Sequence, residues 1–168
     1  TGCPSVDYQR YGPANLISKK NTKILVDCGS GVTQRLNQIG VSLATIDALF
    51  LTHLHSDHVV DLYQLIISSW HSYRMRSWKV YGPNGTKKFI KSIMNTWKKE
   101  RELRIRYEKR SSTSAFNVIV YEFNKYGKIT VKDLLVEYFE VDHKPVKYAY
   151  GFNFLYKNKK LTISGDTK

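Results

Sequence analysis

Four side chains able to bind a transition metal fall within six consecutive positions, His53-Leu54-His55-Ser56-Asp57-His58. Three of the chain's five histidines lie there, beside an Asp. Neutral imidazole and carboxylate are the donors that borderline cations such as zinc prefer. In extended backbone, residues two apart point the same way, so His53 and His55 can reach one metal together. Asp57 and His58 come where the chain turns into a helix and can reach a second metal close by. A close pair of cations can hold a bridging water, lower its pKa towards neutral and balance the charge that develops on an attacked ester. A solvated loop with several histidines is the plain alternative, and the crowding of these types at a strand-to-helix junction argues against it. Two later residues can complete such a site. His143 stands in Val141-Asp142-His143-Lys144-Pro145 and Asp166 in Ile163-Ser164-Gly165-Asp166-Thr167, each after a predicted strand. Either one alone would count as incidental.

Those residues need elements to hold them. Ile24-Leu25-Val26 is a short apolar run, read as a buried strand, and it leads into the tight loop Asp27-Cys28-Gly29-Ser30-Gly31. Val32 to Ile39 reads as a short helix stopped by Gly40. Ala48-Leu49-Phe50-Leu51 is a second buried strand ending at Thr52, where the His-rich motif starts. From His58 to His71, Val59, Leu62, Leu65, Ile66 and Trp70 recur at three- and four-residue steps, the mark of one amphipathic helix. Lys79-Val80-Tyr81 reads as a strand closed by Gly82-Pro83. A basic helix from about Thr86 follows, with Phe89, Ile90, Ile93, Met94 and Trp97 on its buried face. Residues 117–123 and 134–141 read as strands, with 124–128 as a turn between elements. Residues 152–156 and 161–164 form a predicted hairpin around 157–160. Strands and helices interleave without repeats or a linker, which predicts one domain over 1–168 of α/β or α+β class.

Composition sets the outer limits. The 168 residues carry 42% hydrophobic and 24% charged side chains, a globular balance. No apolar run is long enough to span a bilayer and no signal peptide is visible; the expectation of a cytoplasmic protein comes from the two cysteines, read as reduced. The chain starts at Thr1-Gly2 rather than Met and stops at Asp166-Thr167-Lys168. It is therefore expected to be an internal segment of a longer protein. Cys3 and Cys28 make neither a disulfide framework nor a zinc-type spacing and are read as reduced, buried thiols. The formal net charge of +13 would attract polyanions such as RNA. A Lys-, Asn-, Ile- and Tyr-rich composition from an AT-rich genome explains the charge equally well.

The series His53-x-His55-x-Asp57-His58, then His143, then Asp166 resembles the metal motifs of the metallo-β-lactamase superfamily over almost the whole chain. Within it the chain is most similar to the ribonuclease Z branch and its arylsulfatase-like relatives. The residues that carry this likeness are Thr1-Gly2-Cys3-Pro4-Ser5 with Arg10, Leu25 to Gly31, His143 with Pro145, Gly151 and Phe152, and Ser164-Gly165-Asp166-Thr167. The resemblance implies a four-layer αββα sandwich, incomplete at both ends, and a hydrolase with two divalent ions, zinc first and manganese or iron next. It places one metal on His53, His55, His143 and Asp166, and a second on Asp57, His58 and Asp166. Asp57 would also accept the proton of the attacking water. Asp27 would orient a ligand, or else merely cap its loop. The family's last metal-binding His lies well beyond the position of Asp166. A Gly usual near position 61 is replaced by Asp61, read as a helix-start or surface residue. The Gly- and Pro-rich arm with which many ribonuclease Z proteins grip tRNA has no counterpart between His143 and Asp166.

From Lys87 to Arg110 there are ten Lys or Arg and three Glu, so ten minus three leaves +7. With Tyr73, Trp78, Trp97 and Tyr107 nearby, this stretch could hold RNA, through Lys98, Lys99 and Arg101 above all. The preferred reading is the solvated face of an amphipathic helix with Trp97 in the core. His71 could approach the substrate, though packing is the commoner role for such a His. The leading expectation is a dinuclear zinc phosphodiesterase like the ribonuclease Z tRNA 3′-end endonuclease, acting on precursor tRNA. A hydrolase of small sulfate, phosphate or carboxylic esters is the alternative, and a non-catalytic metal- or RNA-binding protein with an incomplete site is a third. The resemblance also implies a homodimer as a partner state, with no membrane involved.

Overall fold

The computed structural model describes residue 5 and residues 7–168. Thr1 to Pro4 of the N-terminal motif, Cys3 included, lie outside the described residues. The first sheet has five strands in sequential order: β1 (Asn15–Lys19), β2 (Thr22–Val26), β3 (Ala48–Phe50), β4 (Trp78–Gly82) and β5 (Val118–Glu122). β1 is antiparallel to β2, and the pairs from β2 to β5 are parallel. Parallel neighbours demand crossovers, and right-handed crossovers between sequential strands place every helix on one face of the sheet. The helices are α1 (Val32–Gln38), α2 (Ser56–Val59), α3 (Leu62–His71), α4 (Thr86–Thr96) and α5 (Lys98–Glu108). Leu25, Leu49, Leu51 and Val80 meet Leu36, Leu62, Leu65, Ile66 and Ile90 in the core between helices and sheet.

The other face of that sheet receives a second one. β6 (Tyr126–Val131), β7 (Leu134–Glu140), β8 (Tyr150–Tyr156) and β9 (Lys159–Ile163) form an antiparallel meander. Strict alternation sends Leu134, Val136 and Tyr138 inwards, and Phe152 and Phe154 with them. They close on Ile24, Val26, Ala48 and Phe50. Aromatic rings dominate this inter-sheet core: Phe50 stacks on Tyr81 at 4.6 Å and meets Phe152 edge-on at 5.4 Å. Burying each such ring is worth about 1.5–3 kcal/mol. Helices, first sheet and second sheet are three of the four expected layers. Among the described residues no helix packs on the outer face of the second sheet, which presents Lys128, Glu137 and Asn153.

Four sequence expectations need correction. β1 was not anticipated, because Asn15-Leu16-Ile17-Ser18-Lys19 has too few apolar residues to read as a buried strand. Residues 124–128 are not wholly a turn, since β6 begins at Tyr126 and only partner strand β7 reveals it. The helix expected over 58–71 is two helices. The break at Val60-Asp61 is pinned by the β2–α1 loop: the Asp61 amide donates to the Cys28 carbonyl at 3.1 Å, and its carboxylate accepts the Thr33 N–H at 2.7 Å. The basic helix also divides, at Trp97. That ring is 46% exposed and stacks on Tyr63 at 5.2 Å instead of entering the core.

Candidate metal centre

The motif occupies the end of β3, where parallel strands deliver their loops. His53 to His55 is extended, and His55 stands at the N-terminal edge of α2 with φ −64° and ψ 146°. Three neighbours hold this turn. The Cys28 amide donates to the His58 carbonyl at 2.7 Å, and the Tyr150 amide, from the second sheet, donates to the Thr52 carbonyl at 2.9 Å. Gly29 allows the close approach: a Cβ there would sit 2.4 Å from the Asp57 carbonyl oxygen. Asp166 comes in on the loop after β9. There the Thr167 hydroxyl and the Lys168 amide both donate to the Asp142 carbonyl, which ties that loop to the one carrying His143. Gly165, at φ +65°, lets the chain pass Thr52.

Two ligand groups result. One atom each from His53, His55 and His143 lies within 4.8 Å of the others, and the same holds for His53, His58 and Asp166. His143 Nε2 is 3.5 Å from His55 Nδ1. His58 Nε2 is 3.5 Å from Asp166 and 3.8 Å from Asp57. This grouping differs from the expected division in three ways. His53 belongs to both groups, Asp166 to only one, and Asp57 stands beside His58 but outside either tight trio.

Asp27 is more than a loop cap. It adopts φ 61°, a left-handed conformation that costs a non-glycine residue energy. In return its carboxylate, only 3% exposed, accepts the Thr52 N–H at 2.8 Å and the His58 Nδ1–H at 2.8 Å. Burial pulls the His58 imidazole down, but the hydrogen bond and charge of Asp27, then the charges of Asp166 and Asp57, outweigh it and raise its pKa. Burial, reinforced by the rings of His58, His55 and His143, pulls His53 down to about 4. His53 is thus neutral at physiological pH, the form a ligand needs.

The Nε2 atoms of His53 and His58 are buried and lack any hydrogen-bond partner among the described residues. An unpartnered buried nitrogen is costly. A cation placed between these groups would satisfy both atoms at once, so the donor set fits a metal.

The remaining expected site residues lie elsewhere. His71 ends α3, about 15 Å along that helix from its start at 1.5 Å per residue. Its Nε2 pairs with Glu108 at 3.1 Å, and its Nδ1 donates to the Ile67 carbonyl, so it joins α3 to α5 and does not enter the site. Lys98, Lys99 and Arg101 lie in the first turn of α5, near the start of α3, where Tyr63 donates to Glu100 at 2.8 Å. Lys98 pairs loosely with Glu102, and Arg101 donates to the Met94 carbonyl. Asp61 begins α3 and faces α1. Cys28 is a buried free thiol, as expected. No helix among the described residues is long and apolar enough to cross a membrane. Sequence reasoning passed over Thr52. Its only signal is a hydroxyl directly before the first histidine.

A five-stranded and a four-stranded sheet packed face to face, with a His/Asp cluster at one edge, define the metallo-β-lactamase fold. Solved structures agree: the metallo-β-lactamase fold protein YhfI of Bacillus subtilis superposes with TM-score 0.71 at 18% identity over 95% of this chain and 56% of that one. Human tRNase Z, short form, superposes with TM-score 0.71 at 23% identity, covering 92% and 62%. Among curated relatives, ribonuclease Z of Mycobacterium avium is 32% identical over 171 residues, and that of Mycobacterium marinum 32% over 173. Each match takes in 99% of this chain but only 60% and 61% of the relative, so the chain spans about three-fifths of their length. The chain thus has the metallo-β-lactamase fold and is similar in sequence to these ribonuclease Z proteins. Residues 3–168 match the model of the family described as Anti-Pycsar protein Apyc1, and the chain belongs to that family.

Proposed function

We propose that this protein is a dinuclear zinc phosphodiesterase. The observation that carries this reading is the pair of ligand trios sharing His53, with two buried, unpartnered Nε2 atoms facing them. His53, His55 and His143 would hold one cation, and His58, Asp166 and Asp57 the other. Bound there, two divalent ions would supply a water of lowered pKa and balance charge on the phosphoryl oxygens. Asp57, beside His58, would accept the proton of the attacking water. Asp27 keeps the His58 ring turned so that Nε2 faces the centre. The ribonuclease Z relatives support precursor tRNA as substrate, with the basic start of α5 as a candidate RNA contact.

A second reading keeps the site and makes the substrate small. β8 and β9 are joined by two residues, Lys157 and Asn158, which leaves no arm to grip tRNA between His143 and Asp166. A cleft of ≈ 220 Å³ beside His55, lined by Leu54, Pro83, Asn84, Val146, Lys147 and Tyr148, is of a size for one small group. The matching family is described by an anti-Pycsar protein and not by a tRNA-processing one. Full-length protein of known metal content should be offered precursor tRNA, bis(p-nitrophenyl) phosphate, a nucleoside cyclic monophosphate and p-nitrophenyl sulfate. Cleavage of phosphodiesters, lost in Asp57→Asn, is the expected result. Turnover of the small diesters without tRNA cleavage selects the second reading. A protein that carries no transition metal, or hydrolyses only the sulfate, overturns the proposal.

A further inference from the structure

We infer that the Thr52 hydroxyl, held by Asp27, positions His53 by fixing which ring nitrogen carries the proton, as Asp27 itself does for His58. Thr52 is 1% exposed. Its oxygen lies 2.9 and 3.1 Å from the two carboxylate oxygens of Asp27, 3.0 Å from His53 Nδ1 and 3.4 Å from His58 Nδ1. A hydroxyl offers one proton and two lone pairs, and an ionised carboxylate only accepts. The Thr52 proton therefore goes to Asp27. What remains on the hydroxyl oxygen are lone pairs, so the short contact with His53 is a hydrogen bond only if Nδ1 donates. His58 Nδ1, at 2.8 Å from Asp27 Oδ2, must donate for the same reason. Both rings are then protonated on Nδ1, and both Nε2 lone pairs are free. These are the two buried nitrogens that lack a partner.

The hydroxyl is held in place. The Thr52 amide donates to Asp27 Oδ1, and the Thr52 carbonyl accepts from Tyr150. Val at this position would keep the branched shape but leave His53 Nδ1 without an acceptor. The ring could then carry its proton on Nε2, where an N–H would face a cation. Asp27 reaches His58 directly but has no bond to His53. Thr52 is therefore the positioning residue for the imidazole that both ligand trios share.

This deepens the metal-centre reading, and its main test needs neither metal nor turnover. In the metal-free full-length protein, ring ¹⁵N shifts and long-range ¹H–¹⁵N correlations report the proton position. Wild type should show Nδ1–H on both His53 and His58. In Thr52→Val, His53 should move to a mixture of tautomers while His58 stays Nδ1–H. Thr52→Ser, which keeps the hydroxyl, should restore the wild-type pattern. Zinc affinity, read by competition with a chelator, should fall about 10- to 100-fold in Thr52→Val, as for other groups that orient ligands, and return in Thr52→Ser. An Nε2–H ring at His53 or His58 in the wild type overturns the inference, even if no variant folds. Unchanged tautomers and unchanged affinity in Thr52→Val overturn it too. Correct tautomers in a protein that hydrolyses no phosphodiester would count against the proposed function and leave this inference standing.

Discussion

The motif turn at 52–58 and helix α5 are both rich in ionisable groups, and they treat them in opposite ways. In the turn, Thr52, His53 and His58 are at most 2% exposed, and the backbone is tied to the β2–α1 loop and to β8. Helix α5 buries no residue, and its charges pair along its own surface, as Arg104 does with Glu100 and Glu108. Surface pairs of this kind contribute little. A charged run in water needs no ligand to explain it, whereas an imidazole nitrogen buried without a partner does. Spacing of residue types singles out the first region, whereas charge count alone does not distinguish a binding surface from a solvated one in the second.

The sharpest way to break the contrast is His53→Ala, which removes the ligand common to both trios. The purified protein should lose transition metal and its hydrolysis should drop to background. Wild-type metal content in that variant would place the centre elsewhere. Next comes Asp27→Ala, which strands the His58 Nδ1–H and the Thr52 N–H. Urea unfolding should show a loss of about 1–3 kcal/mol for the unsatisfied buried donors. An unchanged midpoint would mean the turn is held without the carboxylate. In α5, the pair Lys98→Glu and Lys99→Glu should shift unfolding by no more than about 0.5 kcal/mol, as for other exposed sites. Turnover of a small phosphodiester should also be unchanged, and a large loss there would move the start of α5 into the substrate path.

The smallest effect concerns pH. The Arg110 guanidinium and then His71 hold the Glu108 carboxyl down to about 2. A carboxylate lowered on folding contributes stability above its unfolded value near 4.5, and that contribution is lost as pH falls through about 2. Hydrogen exchange at the C-terminal end of α5 should therefore quicken over that acid range while the amides of β3 stay protected. Equal loss of protection in both would show that α5 is not a separate, weakly held unit.

Much of the scaffold was legible because parallel strands buried on both faces are written as unbroken apolar runs, as in Ile24-Leu25-Val26 and Ala48-Leu49-Phe50. β1 and β6 were not, since Asn15 and Ser18, or Lys128 and Thr130, take strand form only from the neighbour they pair with. The helix break at Asp61 escaped notice because its cause is a contact with Thr33, 28 positions away. Of the candidate site, residue types and spacing singled out His53, His55, Asp57 and His58, whereas His143 and Asp166 gained weight only through the resemblance. Thr52 was passed over because a hydroxyl gains meaning here only when its proton has a known destination. Trp97 was assigned to the core on periodicity, but periodicity cannot tell a helix from two helices meeting at that residue.

His53 and Asp166 are 166 − 53 = 113 positions apart, and the stitch from Tyr150 to Thr52 spans almost as far. During synthesis at about 5–20 residues per second, the first histidines would leave the ribosome roughly 6–23 s before Asp166. In that interval His53, His55 and His58 would form a half-built pocket, open to any soft ion in the cell. The β8–β9 hairpin closes it. Loading with the right cation is then a matter of timing as well as affinity, because strands made well after the motif complete the pocket around it.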